Sequence, residues 1–335
     1  MSGEAIQRVA VIGAGAWGTA LAIAARRAGR EVSLWARDPA LAASVHETRI
    51  NARYLPGRAL DPGIAVTAEL GVVADADAIL LAVPAQAVRV IAASLSPFLG
   101  PATPVVICAK GIEIATGALM PQVVGEALPG CPATMLSGPT FADEVARDLP
   151  TAVTLAGGDP VLGRSLAEAL ASPTFRPYWT DDVVGVALGG AVKNVLAIAC
   201  GVVDGRRLGD NARAALLTRG FAEMARLGLA LGGRIETFAG LAGLGDLTLT
   251  CNGPLSRNRA LGIAIGEDKR AADYLAGRPT VAEGFHTAPA MLRLAKAHGV
   301  EMPICFAVHA LLHEDADVGA TIRALLTRPL RDEGG

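Results

Sequence analysis

Three sets of residues in this chain of 335 have types and spacings that suit chemistry. The first is a lysine in a costly place. Val183 to Val203 reads VVGVALGGAVKNVLAIACGVV, and its only strongly polar members are Lys193 and Asn194, near the middle. An unpaired ammonium is expensive in a dry core and in lipid alike, so the position implies a partner or a task. At helical spacing the residues three and four away are Gly189, Gly190, Leu196 and Ala197, with Gly201 a turn further on. That mostly small face leaves room for a ligand or another chain segment. The competing reading packs the lysine stem on apolar surface and lets the amine reach water.

The second set is Gly13-x-Gly15-x-x-Gly18, which follows the apolar run Arg8–Ile12 and opens a helical run that Gly29 ends. With Glu31–Trp35 (EVSLW) as a second strand this is a βαβ unit. Gly13 suits the tight turn, Gly15 lets backbone approach a pyrophosphate, and Gly18 allows close helix–strand packing. The helix N-terminus then offers amides to phosphates. At the tip of the second strand, Arg37 can pair with a 2′-phosphate or lie over adenine, and Asp38 can accept from a ribose hydroxyl. NADP and NAD both remain open, with Arg37 favouring NADP.

The third set lies late in the chain. Gly240 to Cys251 reads GLAGLGDLTLTC, where Asp246 and Thr250 are four apart and share a face if helical. A carboxylate there can hold the charge or orientation of a buried lysine. Ser256-Arg257-Asn258 then supplies a hydroxyl, a guanidinium and an amide, a grip for phosphate. The plainer readings are a helix cap for Asp246 and a surface charge for Arg257.

The elements needed to position these sets are legible in order. Ile64–Thr67, Ala78–Val83 and Val105–Cys108 are near-continuous apolar runs, as expected of strands covered on both faces. Pro84 stops the ladder after Val83 beside the crevice, and Lys110 stands at the carboxyl end of VVIC, where such sheets bind ligands. Ala133–Leu136 runs into Ser137-Gly138-Pro139-Thr140-Phe141-Ala142, a turn into a helix start. Its amides and the Thr140 hydroxyl can face a cofactor, or Thr140 can be an ordinary cap. Thr151–Leu155 and Arg176–Tyr178 read as further strands. After Asp182 strand patterns give way to long Ala/Leu/Gly/Arg helical segments. The expected fold is therefore α/β: a Rossmann-like, doubly wound, mainly parallel sheet over residues 1–182, then an all-helical domain over 183–335.

Composition narrows the partners. The chain is 52% hydrophobic and 19% charged, with a formal net charge of −2 and no basic block, which removes a nucleic-acid footprint. Aromatic residues are 4%, too few for base-stacking platforms. The five cysteines, Cys108, Cys131, Cys200, Cys251 and Cys305, are odd in number and never in a CxxC pair. That argues for a reducing compartment and against structural zinc. A strand pattern begins within ten residues without a signal-peptide pattern, so the expectation is a cytoplasmic protein with no membrane span, Val183–Val203 being a core helix. His309 and His313 are four apart without an evident third ligand, so no metal site is expected.

Taken together, GAGAWGTALA, LWARD, LAVPAQ, AKGIE, SGPTFADEVA, GGAVKNVLAIACG, GDNARAAL, TRGFAEMARLG, TFAGLAGLGDLTLTC, LSRNRALG and VAEG resemble, in order and over nearly the whole chain, the bacterial type of NAD(P)-dependent glycerol-3-phosphate dehydrogenases. The resemblance implies interconversion of dihydroxyacetone phosphate and sn-glycerol 3-phosphate, supplying phospholipid synthesis, by a homodimer. It implies that Lys193 donates and accepts the proton at the C2 oxygen, assisted by Asn194, Asp246 and Thr250. Arg257 and Asn258 would anchor the substrate phosphate with Ser256 nearby, and Lys110, Gly138 and Thr140 would touch substrate. Gly13, Gly15, Ala16, Trp17, Gly18, Arg37, Pro84, Ala142, Val281 and Glu283 would line the cofactor site, which Lys110 and Arg257 also reach. Ala16 stands where many members carry serine, and Ala212 where many carry threonine. Two alternatives are a related β-hydroxyacid dehydrogenase, which also has a Lys-Asn pair on an apolar helix but no need of Ser-Arg-Asn, and a non-catalytic dinucleotide-sensing module.

Overall fold

Short apolar strands covered on both sides dictate a layered molecule. The computed structural model describes residues 6–276 and 282–329. Its strands are β1 (Arg8–Ile12), β2 (Glu31–Trp35), β3 (Ile64–Thr67), β4 (Ala78–Leu81), β5 (Val105–Ile107), β6 (Ala133–Ser137), β7 (Thr151–Ala156) and β8 (Phe175–Thr180). Between them lie α1 (Ala16–Arg27), α2 (Pro39–Thr48), α3 (Val88–Leu95), α4 (Met120–Ala127), α5 (Ala142–Ala146) and α6 (Pro160–Leu170). The remainder is helical: α7 (Val183–Gly205), α8 (Asp210–Ala230), α9 (Ile235–Ala239), α10 (Asp246–Asn252), α11 (Arg257–Gly266), α12 (Ala271–Leu275), α13 (Glu283–Ala297), α14 (Pro303–His313) and α15 (Val318–Leu326).

The strands form one sheet in the order β3-β2-β1-β4-β5-β6-β7-β8. The first six are parallel, in the doubly wound order whose crevice opens between β1 and β4. Side chains alternate between two cores: Val9, Val11, Leu80 and Val106 pack with α1 and α6, whereas Ile12, Leu81, Ile107 and Met135 pack with α3, α4 and α7. The sheet is mainly parallel, as expected, with one reversed pair. β7 runs antiparallel to β6, and β8 is parallel to β7. The connection through the five-residue α5 keeps the chain at one end of the sheet, so it re-enters in the opposite sense, while α6 is long enough to carry it back across. The strands after Asp77 and Pro104 end at Leu81 and Ile107, shorter than their apolar runs, because Ala82, Val83 and Cys108 already belong to the crevice turns. Gly29 does end α1, at φ +84°.

Helix α7 is the axis of the helical half. It spans 23 residues, and 89% of its most apolar stretch is buried inside the protein, as befits a core helix. Its start is fixed by Asp182, whose carboxylate accepts from Gly185 N at 2.8 Å and from Arg234 N at 2.8 Å. The core under the sheet runs on without a break into α7, so the texture change at residue 182 is not a gap in packing. Another buried carboxylate, Glu223 of α8, accepts from Ile304 N and Cys305 N and so caps α14, whose own N-cap residue offers no side chain.

Helices α7 and α11 meet backbone to backbone. A Cβ at Gly201 would stand 2.1 Å from Arg259 O, and one at Gly262 would stand 2.0 Å from Ile198 O. Small residues one turn apart on both helices permit this approach. It delivers the start of α11, with Arg257 and Asn258, to the middle of α7. We expect Gly262→Ala to force the pair apart and destabilise the fold by about 2 kcal/mol or more, read as a lower urea midpoint. An unchanged midpoint would contradict the contact.

Candidate active site

At the crevice, Gly13 turns the chain at φ +115°, where a Cβ would lie 2.5 Å from Ala82 O. Gly18 lies so close that its Cβ would strike Gly13 O, whereas Gly15 faces open space with nothing within 4 Å. This is the division of labour expected of a pyrophosphate turn. Gly15 caps α1 without a side chain, leaving the amides of Ala16, Trp17 and Gly18 free for an anion. The Trp17 indole N–H is buried and has no partner. Fully buried Asn51 braces the turn from behind, donating to Ala14 O at 2.9 Å and Thr19 Oγ1 at 2.8 Å.

At the tip of β2 the half-exposed Asp38 carboxylate accepts from Ala40 N to cap α2 and lies 3.7 Å from Arg53. Arg37 is exposed beside it, and Arg53 lies 5.2 Å from the centre of the Tyr54 ring. Two guanidinium groups therefore stand at the tip of β2, one of them unread in the sequence.

The lysine finds its partner through the tertiary fold. A π-helical turn over Leu241–Gly245 leads into α10 and sets Asp246, with no exposed surface, against α7. Lys193 Nζ donates to Asp246 Oδ1 and, at 2.9 Å, to Thr250 Oγ1. Lys110 Nζ, from the carboxyl end of β5, donates to Asp246 Oδ2 at 2.7 Å and to Gly138 O at 3.0 Å. One carboxylate thus holds two ammonium groups. Burial pushes its carboxyl up, but the two lysines outweigh burial and keep it below the usual carboxylate range. For Lys193 burial is the largest influence and lowers its pKa; Asp246 offsets part of this, Lys110 adds to it, and the amine ends at about 8. The glycines near Lys193 make room for protein: a Cβ at Gly190 would stand 2.8 Å from Ser137 Oγ and 3.4 Å from Lys110 Cγ.

A second network continues from Asn194. Its amide donates to Lys110 O at 3.1 Å and accepts from Asn258 Nδ2 at 2.9 Å, and Asn258 Oδ1 accepts from Gly284 N at 3.0 Å. Both carbonyl acceptors of this chain are spent within the protein. Ser256 is the N-cap of α11, accepting from Arg259 N. The amides of Arg257 and Asn258 stay outside the helical ladder, and the exposed Arg257 lines a cleft of about 210 Å³ with Tyr274 and Ala282. Glu283, the first residue of α13, accepts from Ala85 N at 3.2 Å, just after Pro84. Thr140 turns its hydroxyl onto Gly138 O at 3.2 Å and caps nothing, and Ala142 opens α5. Val281 lies outside the described residues. Sequence reasoning passed over Asn51, Arg53 and Thr287. Only Thr287, one helical turn after Glu283, left a signal in its spacing.

Two family models match, NAD-dependent glycerol-3-phosphate dehydrogenase N-terminus over residues 8–162 and C-terminus over residues 182–323. Glycerol-3-phosphate dehydrogenase [NAD(P)+] of Caulobacter vibrioides is 54% identical over 98% of this chain and 99% of its own. That of Rhodospirillum rubrum is 54% identical over 99% and 95%. The crystal structure of glycerol-3-phosphate dehydrogenase from Coxiella burnetii superposes with a TM-score of 0.92 at 40% identity, covering 96% of this chain and 99% of that one.

Because Asp246 is the shared counter-ion of two buried amines, Asp246→Asn is expected to destabilise the fold by about 3 kcal/mol, measured by chemical denaturation near neutral pH. A loss below 0.5 kcal/mol, on the order of a surface pair, would show that the lysines do not depend on it.

Proposed function

From the premise that the chain belongs to the NAD-dependent glycerol-3-phosphate dehydrogenase family, we propose that Lys193 is the acid and base of its reaction. The protein is an NAD(P)-dependent oxidoreductase interconverting dihydroxyacetone phosphate and sn-glycerol 3-phosphate, and in reduction it supplies glycerol 3-phosphate for glycerophospholipids. The observation that carries the residue assignment is the buried Lys193–Asp246–Lys110 triad beside a helix N-terminus bearing Arg257.

A nicotinamide cofactor held by the Gly13–Gly18 turn and the α1 amides would supply the hydride chemistry at C2 when bound. The chain does the rest. Lys193 Nζ gives its proton to the C2 oxygen as charge builds there, and its own charge, with that of Lys110, stabilises the oxygen beforehand. Asp246 and Thr250 orient the amine. Arg257 and the free amides at the start of α11 hold the phosphate, which aligns C2 in the crevice. Asn258 supports this grip by tying α11 to Asn194 and Gly284 and by offering the phosphate the second hydrogen of its Nδ2. The open Gly15, the α1 amides and the unpartnered Trp17 and Glu283 atoms suit a dinucleotide. Arg37 and Arg53 favour a 2′-phosphate, hence NADPH. The two-domain division at residue 182, a homodimer and a cytoplasmic location complete the proposal, the last supported by five unpaired cysteines.

With Lys193 at about 8, dihydroxyacetone phosphate reduction requires the charged amine, so kcat/KM should fall as pH rises through about 8. Oxidation requires the neutral amine and should rise over the same interval. Lys193→Met should bind cofactor yet lose turnover by at least about 10²-fold at every pH; initial rates in both directions check this, and near-normal turnover sinks the role. Arg257→Ala should raise KM for dihydroxyacetone phosphate by about tenfold or more while NAD(P)H affinity changes less. An unchanged KM would remove Arg257 from the phosphate grip.

A further inference from the structure

Helix α13 carries a fault in its backbone ladder. Pro289 lies inside it, and proline has no N–H to give to the carbonyl four residues back, which its ring also crowds. That carbonyl belongs to Phe285, so the ladder joining the first turn of α13 to the remainder lacks one bond. The same turn is weak at its other end, because its N-cap residue, Ala282, offers no side chain to the free amides.

The missing donor comes from α14. His313, the last residue of that helix, sets Nε2 2.9 Å from Phe285 O. A carbonyl oxygen only accepts, so the imidazole hydrogen at this contact sits on Nε2. The ring also packs on the Phe285 side chain, with centroids 4.5 Å apart. The His309 ring stands 5.2 Å behind it, with His309 Nδ1 3.3 Å from Glu314 Oε1. The two histidines four residues apart thus serve as a donor and the ring that backs it.

What the first turn of α13 carries gives this bond its weight. Gly284 packs so tightly on α7 that a Cβ would stand 2.6 Å from Asn194 O. Its N–H donates to Asn258 Oδ1 at 3.0 Å, and Asn258 Nδ2 donates to Asn194 Oδ1 at 2.9 Å. These two bonds set the plane of the Asn258 amide, and with it the direction of the second Nδ2 hydrogen. The carbonyl held by His313 lies two peptide units from the Gly284 amide. We propose that His313 is a positioning residue for the phosphate grip: its Nε2–H stands in for the amide that Pro289 lacks, pins the first turn of α13 and so keeps Asn258 aligned. This rests on the reading of Asn258 as a phosphate ligand given above, and adds to it the element that aims it.

Two readouts on the full-length protein test it: hydrogen–deuterium exchange over residues 283–288, and KM and kcat for dihydroxyacetone phosphate. His313→Phe keeps an aromatic ring and removes the donor. It should speed exchange of that turn by about fivefold, the worth of one hydrogen bond, and raise KM by a similar factor while kcat changes less. His313→Gln, whose side-chain N–H reaches about as far, should match the wild type in both. Pro289→Ala returns an N–H to the helix, so adding it to His313→Phe should restore both readings. Unchanged exchange in His313→Phe, a His313→Gln as poor as His313→Phe, or no rescue by Pro289→Ala overturns the proposal. A His313→Phe chain that does not fold and is not recovered by Pro289→Ala overturns it equally. So does a loss of stability with KM unmoved, the mark of a merely structural contact. Asn258→Ala separates this proposal from the reading beneath it: KM unchanged in both Asn258→Ala and His313→Phe overturns the two together, and KM unchanged in His313→Phe alone overturns only the role of His313.

Discussion

One carboxylate shared by two ammonium groups is the constraint on which the rest of the molecule turns. Removing Lys193 and Lys110 from water is unfavourable, and Asp246 makes both tolerable only because it is itself fully buried and held by both. The balance is deliberately incomplete. Two positive charges against one negative leave a site that attracts an anionic substrate, and the desolvation of Lys193 leaves its proton loosely enough held to be given away near physiological pH. Every element nearby serves that arrangement. β5 presents Lys110, the π-helical turn presents Asp246, and α7 carries Lys193 through a core dry enough for the charges to feel each other.

Much of this was legible in the sequence because it rests on local rules. The Gly13-Gly15-Gly18 turn needs particular residues at particular offsets, and apolar runs of four or five reveal covered strands. The four-residue step from Asp246 to Thr250 is a helical face, and the structure makes it one. The Lys-Asn pair on an apolar helix was visible as an anomaly of cost. The two family models then set aside the β-hydroxyacid and non-catalytic alternatives.

What could not be read was set by distance along the chain. Lys110 and Asp246 are 136 residues apart, and nothing near either names the other. The cap that Asp38 places on α2 was not read, because a cap and a ribose contact call for the same side chain in the same place. The small face of α7 left a ligand and another chain segment both open, and beside Gly190 it is Ser137 and Lys110 that fill it. The reversal at β7 depended on the length of a connection rather than on strand composition.

The glycine contact between α7 and α11 has a consequence for what this protein can measure. Lys193 and Arg257 ride on two rods whose main chains touch, so the spacing of their backbones is set by the glycine contact rather than by intervening side chains. Such a pair acts as a caliper with its screw locked. Side-chain replacement along the groove cannot open it to longer molecules without prising the rods apart, and that costs the fold. With Lys193 and Arg257 in the roles proposed for them, discrimination by length would be written into the stability of the scaffold itself.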